Sequence, residues 1–140
     1  MDNMEAQVWQ RVMQPGPKDS GLGLKGLLLA AREQAAVCRF LVGALQMDQA
    51  RELLRREQAN ADCLGGILIL SGQQEEKRKA MTYEKEPPRR ALEKYFRRAR
   101  KLVTEYTARY AEPEFGEVFR ILAQREGECC ALAAELLGKV

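Results

Sequence analysis

The sequence contains no histidine. That absence removes the commonest general base, the commonest transition-metal ligand and every Ser/His or Cys/His nucleophilic pair. The four cysteines, Cys38, Cys63, Cys129 and Cys130, form no CxxC pair and follow no framework spacing, which argues against a zinc ribbon or a disulfide scaffold and fits reduced thiols in the cytosol. Long apolar runs are also missing: the stretch from Gly21 to Ala31 is broken by Lys25 and is too short to span a bilayer. The N-terminus carries Asp2 and Glu5 and lacks the apolar core of a secretion signal. The expectation is a cytoplasmic protein with no membrane partner. β-Branched residues are scarce and aromatics make up only 6%, so a sheet would have little to build on.

What is present favours helices. Ala, Leu, Glu, Arg and Gln dominate, hydrophobic residues reach 46% and charged residues 31%, and 140 residues suffice for one well-buried core. The five prolines, Pro15, Pro17, Pro87, Pro88 and Pro113, fall where a helical reading needs breaks. The pattern predicts a short leader helix over Met4 to Met13 and long helices over Leu22 to Gln46, Asp48 to Ser71, Pro87 to Ala111 and Pro113 to Gly138. Residues 1–20 then form a leader helix and loop, with Trp9, Val8 and Val12 as a small apolar face, and residues 21–140 form an all-α four-helix bundle.

Short joints at Met47 and at Glu112 make each half of the bundle an antiparallel hairpin. The middle connection, GQQEEKRKAMTYEKE from Gly72 to Glu86, is different. A chain of that length reaches roughly 50 Å when extended, against roughly 36 Å for a helix of this size. It can therefore run the length of the bundle and leave the second and third helices parallel.

The second helix has an apolar stripe of Ala50, Leu53, Leu54, Ala61, Leu64, Ile67 and Leu68, and Glu57 and Asn60 lie inside it. The fourth helix repeats the device: Glu126 and Cys129 fill a gap in the stripe Phe115, Val118, Phe119, Leu122, Cys130, Ala133, Leu136 and Leu137. Arg51, Leu53, Arg56 and Glu57 match Arg120, Leu122, Arg125 and Glu126 at a constant offset, as two related hairpins would. A carboxylate in an apolar interior must be protonated, paired, hydrogen-bonded or bound to a cation. On the first helix Glu33 sits on a flank with Ala30, Ala36, Val37 and Phe40, and periodicity leaves its direction open. The third helix offers Leu92, Phe96, Ala99, Val103, Tyr106 and Tyr110 to the core and no carboxylate on that line.

The two Glu-x-x-X seams, together with Glu33 in EQAAVCRF, LILSG closing the second helix and AEPEFGEVFRILAQRE leading into the fourth, resemble the rubrerythrin branch of the ferritin-like superfamily over residues 22 to 138. That family carries a glutamate on each of two helices and Glu-x-x-His on the other two, and holds two iron or manganese ions. The resemblance implies metal-ligand roles for Glu33, Glu57 and Glu126, with Asn60 and Cys129 standing where the histidines are expected and Ala99 where the third-helix glutamate is expected. It implies iron or manganese as cofactors and peroxide reduction or iron oxidation as the activity. The rubredoxin-like centre of rubrerythrins needs CxxC pairs that this chain lacks.

Against this stands a bundle whose ligands have decayed, with glutamates satisfied by arginine, Tyr106 or Tyr110, and with Cys129 packed as a small hydrophobe rather than serving as a thiolate ligand or peroxide-sensitive thiol. A single hard cation held by the carboxylates and Asn60 is a third arrangement. The expectation is a degenerate dimetal carboxylate site without strong catalysis. The alternatives are an active dimetal redox protein and a helical interaction module, with a second copy of the chain as partner. Residues 89–101 hold Arg89, Arg90, Lys94, Arg97, Arg98, Arg100 and Lys101 against one acid, Glu93. With no interleaved exposed aromatics this reads as a solvated helix face rather than a nucleic-acid surface.

Overall fold

In the computed structural model, which describes residues 23–73 and 86–140, the chain folds into four helices: α1 (Leu24–Leu45), α2 (Asp48–Leu70), α3 (Pro88–Thr107) and α4 (Gly116–Leu137). The leader helix expected over Met4 to Met13 and the central part of the crossover lie outside the described residues. Among the described residues no helix is long and apolar enough to cross a membrane.

Each helix end has a local cause. Gln46 closes α1 in the left-handed conformation (φ 51°), and its N–H bonds back to the Val42 carbonyl at 3.0 Å, so the chain reverses into α2 within two residues. Pro87 is extended and Pro88 occupies the first turn of α3, where a missing N–H costs nothing. The α3–α4 joint is longer than its sequence suggests. Residues 108–115 form successive turns, with Arg109 N–H bonded to the Tyr106 carbonyl and Glu112 N–H to the Arg109 carbonyl, and α4 begins at Gly116 rather than at Pro113. A Cβ at Gly116 would stand 2.4 Å from the Tyr110 carbonyl oxygen, so this joint closes only around glycine.

The helices form a square. α1 packs on α2 and α3, and α4 packs on α3 and α2, while among the described residues the backbones of the two diagonal pairs stay apart. One apolar cluster joins the C-terminal halves of α1 and α4 (Val37, Leu41, Ala133, Leu136) to the N-terminal halves of α2 and α3 (Leu53, Leu92). The other joins the opposite halves through Leu27, Leu64, Leu68, Tyr106, Phe119 and Leu122. Neighbouring helices are thus antiparallel, and α2 and α3 run parallel across the diagonal. The end of α2 and the start of α3 lie at opposite ends of the bundle, about 34 Å apart for a 23-residue helix, a span within reach of the intervening chain. At one end Arg89 of α3 donates to the Leu137 and Val140 carbonyls (3.3 and 2.7 Å), placing a cation on the negative end of α4.

Between the two apolar clusters lies a polar waist of Gln34, Glu57, Asn60 and Glu126, all fully buried. The inward line of α3 is Leu92, Tyr95, Ala99, Leu102 and Tyr106. Phe96 and Val103, expected on that line, are only half-buried, and Tyr95 and Leu102 take the inward positions.

The two glycine environments give opposite expectations. Gly116→Ala lowers unfolding free energy by about 2 kcal/mol, because the new methyl meets backbone and not a yielding side chain. Gly127→Ala, inside α4 with no atom within 4 Å of its would-be Cβ, raises it by roughly 0.5–1 kcal/mol. Urea denaturation of the two variants checks both, and a Gly116→Ala variant as stable as the parent contradicts the placement of the joint.

Candidate metal centre

The waist brings together four of the five residues singled out in the sequence. Glu57 and Asn60 lie one turn apart on α2, Glu126 and Cys129 one turn apart on α4, and all four side chains are shielded from solvent. Ligand atoms of Glu57, Glu126 and Cys129 fall within 4.8 Å of one another. The fifth residue, Glu33, does not join them. It is exposed on α1, and the inward position belongs to its neighbour Gln34, which continues the buried spacing Leu27, Ala31, Gln34, Cys38, Leu41. The helix turn between adjacent residues, about 100°, carries the carboxylate out and the carboxamide in.

Tyr95 organises one side of the cluster. Its hydroxyl donates to Glu57 Oε1 at 2.5 Å, and its main-chain carbonyl accepts a hydrogen bond from Gln34 Nε2 at 3.1 Å. Helices α1, α3 and α2 are thus linked through one aromatic residue. Tyr106 and Tyr110, the partners expected for the glutamates, do other things. The Tyr106 ring lies 6.3 Å from that of Phe119 and its hydroxyl has no hydrogen-bond partner among the described residues, while Tyr110 sits beneath the Arg120 guanidinium at 4.8 Å. Nearer solvent, Arg56 of α2 pairs with Glu128 of α4 and with Glu52 at 2.9 Å, clamping together the two helices that carry the carboxyls.

The electrostatics follow from burial. Desolvation pushes the Glu57 carboxyl above its ordinary value and the Glu126 carboxyl well above it, the second raised further by the facing Glu57. Two ionised carboxylates at this separation repel by about 3 kcal/mol at an effective dielectric of about 20, so an ion-free waist retains protons on the pair. Burial, then Glu57 and Glu126, also push the Cys129 thiol up, and burial followed by Glu57 does the same to Cys38. These thiols are protonated and unreactive unless a cation intervenes.

Many of the polar atoms here lack partners. Among the described residues, both oxygens of Glu126, Oε2 of Glu57, both amide atoms of Asn60 and Oε1 of Gln34 are buried without a hydrogen bond of ordinary length, and the nearest groups that Glu126 faces are Glu57 and Asn60, so that a proton on the pair can be shared between the carboxyls. Buried polar atoms are normally satisfied, by protein, water or an ion. Comparison with protein-family models, curated proteins and solved structures finds no match to this chain.

The donor set decides what could be held. A ferritin-like pair of ions takes four carboxylates and two imidazoles. Here α1 offers Gln34, α3 offers Ala99 and Tyr95, and the third positions of the two motifs are Asn60 and Cys129. Two divalent cations do not fit this set: two carboxyls and one thiol cannot balance or enclose them. Tyr95 and Gln34 are the residues that sequence reasoning missed. Their signal was present: Tyr95 stands three residues after Leu92 and four before Ala99, the slot a buried helix stripe fills.

The raised Glu126 carboxyl has a measurable consequence. A carboxyl whose folded pKa exceeds its unfolded value stabilises the fold at low pH, and that contribution is lost as pH rises from about 4.5 through the folded value. In chelator-treated protein, Glu126→Gln therefore leaves stability nearly unchanged at about pH 4 and raises it at pH 8. Thermal unfolding across this range reads the difference, and parallel pH profiles for parent and variant contradict it.

Proposed function

We propose that the chain is a ferritin-like bundle protein of rubrerythrin-like descent whose dimetal carboxylate centre has degenerated, and that it works without dimetal oxidoreductase turnover. The observation that carries this reading is the meeting of Glu57 and Glu126, from matching Glu-x-x-X motifs, in the buried waist of a bundle whose second and third helices are parallel. That is the arrangement a ferritin-like ancestor supplies. Loss of turnover is supported by the residues in the remaining ligand positions, Gln34, Asn60, Ala99 and Cys129, none of which replaces a bridging carboxylate or an imidazole.

The same reading places the protein in the cytoplasm and gives it a second copy of itself as partner. Leu29, Ile69, Leu70 and Ile121 support self-association: all four are exposed large apolar side chains, and all lie toward the same end of the bundle.

Protein expressed in iron- or manganese-supplemented medium is expected to carry fewer than two of these ions per chain and to turn over neither peroxide nor ferrous iron. The combined variant Gln34→Glu, Asn60→His, Ala99→Glu and Cys129→His is expected to take up two. Metal analysis and peroxide-consumption assays test both. Two iron or manganese ions per parent chain with peroxide turnover overturn the degenerate reading, and a folded combined variant without metal overturns the ferritin-like assignment.

A further inference from the structure

We infer that Glu57, Glu126 and Cys129, completed by the Asn60 carboxamide oxygen, form a closed site for one divalent ion of the zinc and ferrous class. The inference deepens the degenerate reading: a centre that cannot enclose two cations still has the donors for one.

The geometry suits it. Around a four-coordinate ion with oxygen ligands near 2.1 Å and sulfur near 2.3 Å, neighbouring ligand atoms lie roughly 3.5 Å apart. The three donors already stand within 4.8 Å of one another, so side-chain rotation of about an ångström closes the shell without moving a helix. The two motifs each present a pair of side chains one turn apart, and the Arg56–Glu128 pair holds the helices that carry them.

The unpartnered atoms point to a ligand independently of the acidic pair. Asn60 is fully buried beside Glu126, and neither of its amide atoms makes a hydrogen bond of ordinary length among the described residues. With Oδ1 on the ion, Nδ2 is left to donate to the Glu126 oxygen that does not bind it, the outer hydrogen bond by which metal sites orient their carboxylates. Glu57 is already oriented in this way: Tyr95 occupies Oε1 and leaves Oε2 bare. Tyr95 is thus a positioning residue.

Chemistry selects the ion. Calcium takes six to eight oxygens and magnesium an octahedron rich in water, neither of which a sealed site containing a thiol provides. Two carboxylates, a carboxamide and a thiolate suit zinc, ferrous or cobaltous ions. Binding releases the Cys129 thiol proton and the carboxyl protons to solvent and involves no change of oxidation state. With every ligand fully buried the site leaves no open position for substrate, which makes its role structural.

Cobalt(II) titrated into chelator-treated full-length protein tests this, since a cobalt–thiolate bond gives a near-ultraviolet charge-transfer band. Expected are saturation at one equivalent, the band, and a rise in Tm of roughly 10 °C at a hundredfold excess over Kd. Zinc should compete for the same equivalent. Cys129→Ser abolishes the band and Glu126→Gln abolishes the thermal shift, with circular dichroism reporting that each is folded, whereas Cys38→Ser and Cys130→Ser keep both signals. No band and no thermal shift in the parent overturn the single-ion site and leave the degenerate reading standing, and a band that survives Cys129→Ser overturns the ligand assignment. Two equivalents bound per chain overturn the degenerate reading itself.

Discussion

Two carboxyl groups facing each other in a dry helical interior constrain nearly everything else in this bundle. Glu57 and Glu126 are fully buried, and among the described residues the one hydrogen bond of ordinary length to either comes from the Tyr95 hydroxyl to Glu57 Oε1. Taking such groups out of water costs several kcal/mol unless they are neutralised or bound. The surrounding waist is therefore polar while the clusters on either side are apolar, and the core is divided into two halves. That division also fixes register. Sliding α2 by one turn against α4 in one direction would press Glu57 toward the level of Leu122 and bring Leu53 in among the polar atoms.

The architecture around the waist serves the same constraint. Helices adjacent around the square are antiparallel, so their dipoles oppose favourably, and the long connection after α2 is what permits this while keeping α2 and α3 parallel across the diagonal. Three of the basic side chains of α3 have partners on the surface: Lys94 pairs with Glu86 at 2.7 Å, Arg89 with Glu93 at 3.3 Å, and the Arg100 guanidinium lies 5.9 Å from the Phe96 ring centre. Exposed pairs of this sort contribute little to stability. They keep charge at the rim while the interior accommodates the acids.

Much of this was legible in the residues. The four-helix arrangement followed from proline placement and periodicity, and Glu57, Asn60, Glu126 and Cys129 declared themselves as polar gaps in apolar stripes, because burial on a helix is set by spacing alone. Where spacing was ambiguous the reading failed. Glu33 and Gln34 are adjacent on a helix apolar on most sides, so periodicity could not say which turned inward, and the structure buries Gln34. Tyr95 and Phe96 are both aromatic and adjacent, and only the packing of α3 against α1 and α2, through hydrogen bonds to Gln34 and Glu57, selects Tyr95. The long joint after α3 was hidden because its cause, the close approach of Gly116 to the Tyr110 carbonyl, is a tertiary contact within a turn.

Glu57 and Glu126 meet away from water. Isotope-edited infrared spectroscopy of chelator-treated protein at neutral pH tests it most directly, through the carbonyl stretch of a protonated carboxylic acid. That band is expected at pH 7, slow to shift in deuterated water and absent from the Glu57→Gln, Glu126→Gln double variant. A spectrum showing only ionised carboxylates at pH 7, with both glutamates titrating near the ordinary value of about 4.3, would contradict it.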